Sequence, residues 1–215
     1  MKNILYFFLF IIPFFSFSQE SIKLTYKAPK SAETKMYNAL NDIILLSITT
    51  EDLNAKGKKF LLRKEEIING KVKRNDSLLS CKTITRPIIT GKDTLNYVVN
   101  ACNSTQFFES LEKQEIIFGG KFINDSIKII INYPGISIRS KLKADDSFVL
   151  MALQEEDKEG SFELTTGEEF PIIALTPPIK GNGYSSYCLI DNTEIKNFYT
   201  EYNIERYYVY YLTIK

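Results

Sequence analysis

Turn signals recur every eight to twelve residues along this chain, and the segments between them are rich in β-branched and aromatic residues. Segments of that length suit strands and leave little room for helices. The sharpest signal is Asn69-Gly70, between Phe60–Ile68 and Lys71–Leu79. Two consecutive residues that tolerate positive φ are what a tight β-hairpin requires. Pro134-Gly135 separates Ile127–Asn132 from Ile136–Lys141, and Asn124-Asp125 leads into the first of these. Gly119-Gly120 reads as a further turn, joining Glu115–Phe118 to Lys121–Ile123. Other strand-like runs are Ile22–Tyr26, Ile43–Thr49, Leu95–Val99, Phe148–Leu153, Ser161–Leu164, Phe170–Leu175, Tyr184–Ile190 and Arg206–Ile214. Thr105–Lys113 fits either a helical turn or a strand, and Thr176-Pro177-Pro178 reads as a loop.

Two segments carry helical spacing instead. Ala32, Met36, Ala39 and Leu40 share one face, and Ser31 is placed to cap, which predicts a helix over residues 31–41. Ile195, Phe198, Tyr199 and Tyr202 do the same after Asp191/Asn192, predicting a helix over residues 192–202. No fixed-period repeat and no Pro/Gly/Ser linker divides the chain. The expected fold is therefore β-rich α+β, an antiparallel sheet or sandwich with two short helices, in one domain over residues 19–215.

Residues 1–18 have a different character. Lys2 precedes an apolar run from Ile4 to Phe17, and Ser16 and Ser18 occupy the −3 and −1 positions of a signal-peptidase site. The run is fourteen residues long and contains Pro13. A membrane-spanning helix needs about 20 residues. A cleaved export signal is expected, with cleavage between Ser18 and Gln19. No cysteine stands near that site to carry a lipid. The Phe/Ile-rich signal, its FSFS-Gln ending and the Lys/Asn/Ile-heavy body resemble exported proteins of Bacteroidota. The resemblance covers the signal and the composition, and implies a periplasmic or secreted protein with no stable membrane insertion after cleavage.

Composition removes several chemistries. The chain contains no histidine, so Ser-His-Asp and Cys-His systems and His-ligated metals are excluded. Without Lys2 the charges balance at 26 basic and 26 acidic side chains, which offers no general attraction to nucleic acid. Cys81, Cys102 and Cys188 lack Cys-x-x-Cys spacing, and in an oxidising compartment they read as one disulfide plus one thiol. Cys81–Cys102 closes the shorter loop, and pairings with Cys188 stay open. Four Gly-Lys dipeptides lack the Ser or Thr of a P-loop and read as turns. Two Ser-x-x-Lys matches, at Ser110 and Ser140, have no Lys-Thr-Gly partner element. No cofactor or metal is expected.

Three features stand as candidate sites. Lys56, Lys58, Lys59, Arg63, Lys64, Lys71, Lys73 and Arg74 form a basic cluster, offset by Glu65 and Glu66. On a hairpin, several of these cations share a face that could attract an anionic glycan, a lipid headgroup or an acidic protein partner. Lysines on such a strand also protect a sheet edge from aggregation. Tyr207 and Tyr211 fall on one face of the last strand, with Val209, and Tyr208 and Tyr210 on the other, with Leu212. Such a strand is either buried on both faces or leaves one tyrosine face open to a ligand. Asp145, Asp146, Glu155, Glu156 and Glu163 are the acids that a carboxylate-dependent glycan hydrolase could use, provided two of them face each other across a cleft. The expected function is a non-catalytic binding or interaction module of the cell envelope, with an envelope glycan or protein as partner. A histidine-free hydrolase and an immunity-like inhibitor are the alternatives.

Overall fold

The computed structural model describes residues 20–29, 31–81, 83–90, 93–100, 105–107, 109–153, 160–181, 184–186 and 195–215. In chain order the elements are β1 (Ser21–Lys27), α1 (Ala32–Leu40), β2 (Ile43–Thr50), β3 (Phe60–Ile68), β4 (Lys71–Leu79), β5 (Thr83–Thr90), β6 (Asp93–Asn100), β7 (Gln114–Ile123) and β8 (Ser126–Tyr133). Then follow β9 (Ile136–Lys143), β10 (Val149–Ala152), β11 (Ser161–Thr165), β12 (Glu169–Thr176), β13 (Ile179–Gly181), β14 (Tyr184–Ser186), α2 (Phe198–Tyr202) and β15 (Arg206–Ile214). The expected β-rich α+β class is the one observed.

Two antiparallel sheets dominate. One has six strands in the order β11-β1-β2-β7-β8-β9, the other five in the order β10-β12-β15-β3-β4. β5-β6 and β13-β14 form separate two-stranded pairs. Alternation along the strands places Ile22, Leu24, Ile116, Phe118, Ile127, Ile129 and Ile131 of the larger sheet in one apolar core with Phe60, Leu62, Leu175, Leu212 and Ile214 of the smaller. The sheets therefore face each other as a sandwich, and the Phe118 ring meets Tyr210 edge-on across it at 5.3 Å.

Local chemistry explains the elements. Asn69 and Gly70 both take positive φ, as the tight turn between β3 and β4 requires. Ser31 caps α1, its hydroxyl oxygen accepting from the Thr34 N–H at 3.0 Å. α1 is nonetheless an exposed helix with no buried residue. Ile195–Asn197 forms a 3₁₀ turn leading into α2. Together they cover the outer face of the smaller sheet, where Phe198 and Ile204 pack on Ile67, Tyr207 and Val209. β15 is thus buried on both faces, with Tyr207, Tyr208, Val209 and Tyr210 all inaccessible.

One turn expectation fails. Gly119-Gly120 is not a turn: β7 runs unbroken from Gln114 to Ile123, and the chain reverses at Asn124-Asp125. Packing overrides the local turn preference. Gly120 lies buried beneath Ile127 and Ile129, and a Cβ there would meet the Ile127 Cδ1 at 2.9 Å and the Ile129 Cδ1 at 3.3 Å. Gly120→Val is expected to overpack this position and cost about 1–3 kcal/mol in urea unfolding. Gly120→Ala, which adds one methyl against movable side-chain ends, should cost less. Equal stability of Gly120→Val and the parent would show that this site has room.

Candidate functional site

The two turns that close β7-β8 and β8-β9 also fix a charge pattern. Their registers place Lys121 opposite Lys128 and Lys128 opposite Lys141. Neighbouring strands lie about 4.8 Å apart. Three lysines therefore stand in one row across the outer face of the larger sheet, with Arg139 and Lys143 beside them on β9. All five side chains are exposed. None makes an ion pair among the described residues. Like charges directly opposite destabilise a sheet, so this row is not explained by folding. Half-buried Ile43, Leu45, Ile117 and Ile130 lie next to it on the same face.

Behind β9, between the open edges of the two sheets, lies a cleft of about 440 Å³. Its floor is the inner face of the smaller sheet, which is polar where a sandwich interior is normally apolar. The β15-β3-β4 registers align Tyr208, Glu66 and Arg74 in one row, and Tyr210, Lys64 and Asp76 in the next. Lys64 is only 4% exposed, with its Nζ 3.0 Å from Asp76 Oδ2. Arg74 Nε reaches Asp76 Oδ1 at 2.7 Å, and Arg206 Nε lies 3.7 Å from Glu66 Oε1. The Tyr208 hydroxyl accepts from the Lys143 N–H at 3.1 Å and donates to the Lys143 carbonyl at 3.0 Å. The Tyr210 hydroxyl is buried without a hydrogen-bond partner.

Charge and burial set what these groups can do. Burial acts to raise the Asp76 pKa, but hydrogen bonds and charge from Arg74 and Lys64 outweigh it and hold the carboxyl below its ordinary value. Asp76 therefore carries no proton near neutral pH and cannot serve as a general acid. Burial, with the Glu66 charge, pushes the Tyr208 phenol up to about 12. On the cleft floor Lys64 and Arg74 balance Glu66 and Asp76, while β9 reaches the cleft through its backbone edge. The excess of positive charge lies at the cleft mouth, on the outer-face row that Arg139, Lys141 and Lys143 belong to, and suits an anion.

The structure scatters the basic residues picked out from the sequence. Lys58 lies at the other end of β3, paired with Glu20 at 2.7 Å, and the neighbouring Lys59 bonds the C-terminal residue through its backbone. Arg63 lies on the outer face of the smaller sheet, held by Glu65 and by two bonds to Glu169, with the Tyr211 ring 4.2 Å away. Lys71 and Lys73 are exposed on β4, an edge strand with register shifts at Leu62/Arg63 and Glu66/Ile67. Of the set, Lys64, Arg74 and Tyr208 line the cleft. Tyr207, Tyr208 and Tyr210 are buried, so β15 presents no open tyrosine face. Lys121, Lys128, Arg139 and Lys141 escaped notice because they are spread over three strands and meet only through register.

The remaining candidates lie apart. Asp145 and Asp146 are exposed just beyond β9, whereas Glu163 is exposed on β11, at the opposite edge of the larger sheet, and accepts from the Ser21 hydroxyl at 2.5 Å. Those three do not face one another across a cleft, and Glu155 and Glu156 fall outside the described residues. Ser140 and Lys143 lie on β9, three positions apart and hence on opposite faces. Cys81 is disulfide-bonded, while Cys102 and Cys188 lie outside the described residues. No group of metal-ligating side chains occurs among the described residues, and none of their helices is long and apolar enough to cross a membrane. Comparison with protein-family models, curated proteins and solved structures finds no match.

Proposed function

We propose that the protein is an exported, non-catalytic binding module of the cell envelope, and that it engages an anionic partner through the cationic surface around β9. The observation that carries this reading is the row Lys121–Lys128–Lys141, three charges placed opposite one another at a cost to the sheet and with no ion-pair partner among the described residues. The flanking Arg139 and Lys143 extend it to the mouth of the cleft.

Heparin, used as a generic polyanion, provides the test. The purified protein should bind immobilised heparin at low salt and be released as salt rises. Reversing two charges with Lys128→Glu and Lys141→Glu is expected to weaken binding about tenfold or more. The same reversal at Lys71 and Lys73, on β4, should change it little. Elution of both double variants with the parent would exclude the β9 surface as the binding site.

A further inference from the structure

We propose that β9 accepts an extended, acidic segment of a partner polypeptide as a seventh strand of the larger sheet; this rests on the reading that the surface around β9 binds anions. Six consecutive residues, Ile138 to Lys143, line the cleft. Consecutive strand residues point to opposite faces, so only the backbone edge of β9 can bring all six to one wall. That edge ends the strand order of the larger sheet.

The turn fixes which backbone groups are free. Tyr133 and Ile136 pair across the two-residue Pro134-Gly135 turn and are its hydrogen-bonded pair. In an antiparallel ladder such pairs alternate with non-bonded ones. Ile138, Ser140 and Leu142 therefore bond to β8, and Ser137, Arg139, Lys141 and Lys143 turn their N–H and C=O groups outward. The Lys143 groups confirm the parity, because both are taken by the Tyr208 hydroxyl. Tyr208 thus closes one end of the edge. Among the described residues nothing bonds the outward groups of Ser137, Arg139 and Lys141, a stretch enough for an added strand of about five residues.

Charge selects the occupant. On the outer face, residues opposite Arg139 and Lys141 would meet unpaired cations, which favours Asp or Glu at alternate positions. The residues between them would point towards the polar floor at Arg74 and Asp76. A second copy of this chain pairing through β9 would set these cations against one another, so the charge pattern opposes that occupant.

A labelled decapeptide of alternating Glu and Thr tests the proposal by fluorescence anisotropy with the purified protein. Two isomers keep every side chain, one N-methylated at each Glu and the other at each Thr. In antiparallel addition the residue opposite Arg139 directs its N–H at β9, so methylation at Glu is expected to weaken binding about tenfold or more and methylation at Thr to be tolerated. Amide exchange at Ser137, Arg139 and Lys141 should slow on binding, while Ile138 and Ser140 stay unchanged. If both isomers bind as tightly as the parent, charge alone holds the peptide and strand addition is wrong. If heparin is retained but the peptide is not, strand addition fails while the anion-binding reading stands. If neither binds, both fail. Protection of Arg139 and Lys141 in the free protein would show that the edge is already occupied, by a second copy or by the chain itself, and would also overturn the proposal.

Discussion

Raising the pH from 9 to 12 is expected to unfold the protein in one steep transition. An exposed phenol ionises near pH 10. Burial, assisted by nearby carboxylates, pushes Tyr207 and Tyr208 up to about 12. Burial raises Tyr133 and Tyr210 as well. Below pH 10 these four phenols are neutral in both folded and unfolded chains, and their burial is fully compatible with the fold. Above pH 10 the unfolded chain releases protons that the folded chain retains, so stability falls as pH rises. Each group removes about 1.4 kcal/mol per pH unit, and four together about 5.5 kcal/mol. A domain of ordinary stability, about 5–15 kcal/mol, is exhausted within roughly one to three units. The part of the tyrosinate absorbance that rises above about pH 11 should therefore change together with far-UV circular dichroism. Ionisation of every phenol by about pH 11 with the sheets intact would show that these four hydroxyls reach solvent.

That steep dependence traces to a feature visible in the sequence, the aromatic residues on both faces of Arg206–Ile214. Their alternation left two readings, a strand buried on both faces or one with a tyrosine face open to a ligand, and packing of both sheet faces decides for the first. The Asn69-Gly70 hairpin, the Ser31 cap and the strands of β8 and β9 were legible because each rests on residues adjacent in sequence. Gly119-Gly120 misled because the pair has two uses. A Gly-Gly pair satisfies a turn, but it also gives space under bulky neighbours, and Ile127 and Ile129 are brought above Gly120 only once β8 has folded back.

The candidate site was less legible because its parts come from different elements. Lys121, Lys128 and Lys141 are separated in sequence by seven and thirteen residues, and only the exact register of two hairpins aligns them. A slip of one residue would turn one lysine inward. The basic run between Lys56 and Arg74 was conspicuous in sequence yet is divided by strand alternation. Arg63 points outward to Glu169 while its neighbour Lys64 points inward to Asp76. Adjacent charges in a strand belong to opposite faces, so their local density says little about the field either face presents.

Asp76→Asn is expected to destabilise the protein by about 3 kcal/mol, and Lys64→Met by far less. Lys64 is almost wholly buried, and Asp76 is its only ion-pair partner in the described structure. Removing the carboxylate leaves a buried ammonium uncompensated, a change that typically costs about 3–5 kcal/mol, with the lower figure apt because Asp76 itself keeps some contact with solvent. Lys64→Met removes the charge together with its desolvation cost. It leaves Asp76 paired with Arg74, so the loss should stay below about 1.5 kcal/mol. The double substitution should be more stable than Asp76→Asn alone, which is the signature of a coupled pair. Acid dependence gives a second readout. Arg74 and Lys64 hold the Asp76 carboxyl below its ordinary value, so its contribution is complete above pH ~4 and is lost as pH falls through the lowered pKa. Urea unfolding at pH 7 and pH 3 should show Asp76→Asn falling further behind the parent at the higher pH. If Asp76→Asn matches the parent at pH 7 within about 0.5 kcal/mol, then Lys64 does not depend on Asp76. In that case the polar floor of the cleft is held by solvent and not by its own ion pairs.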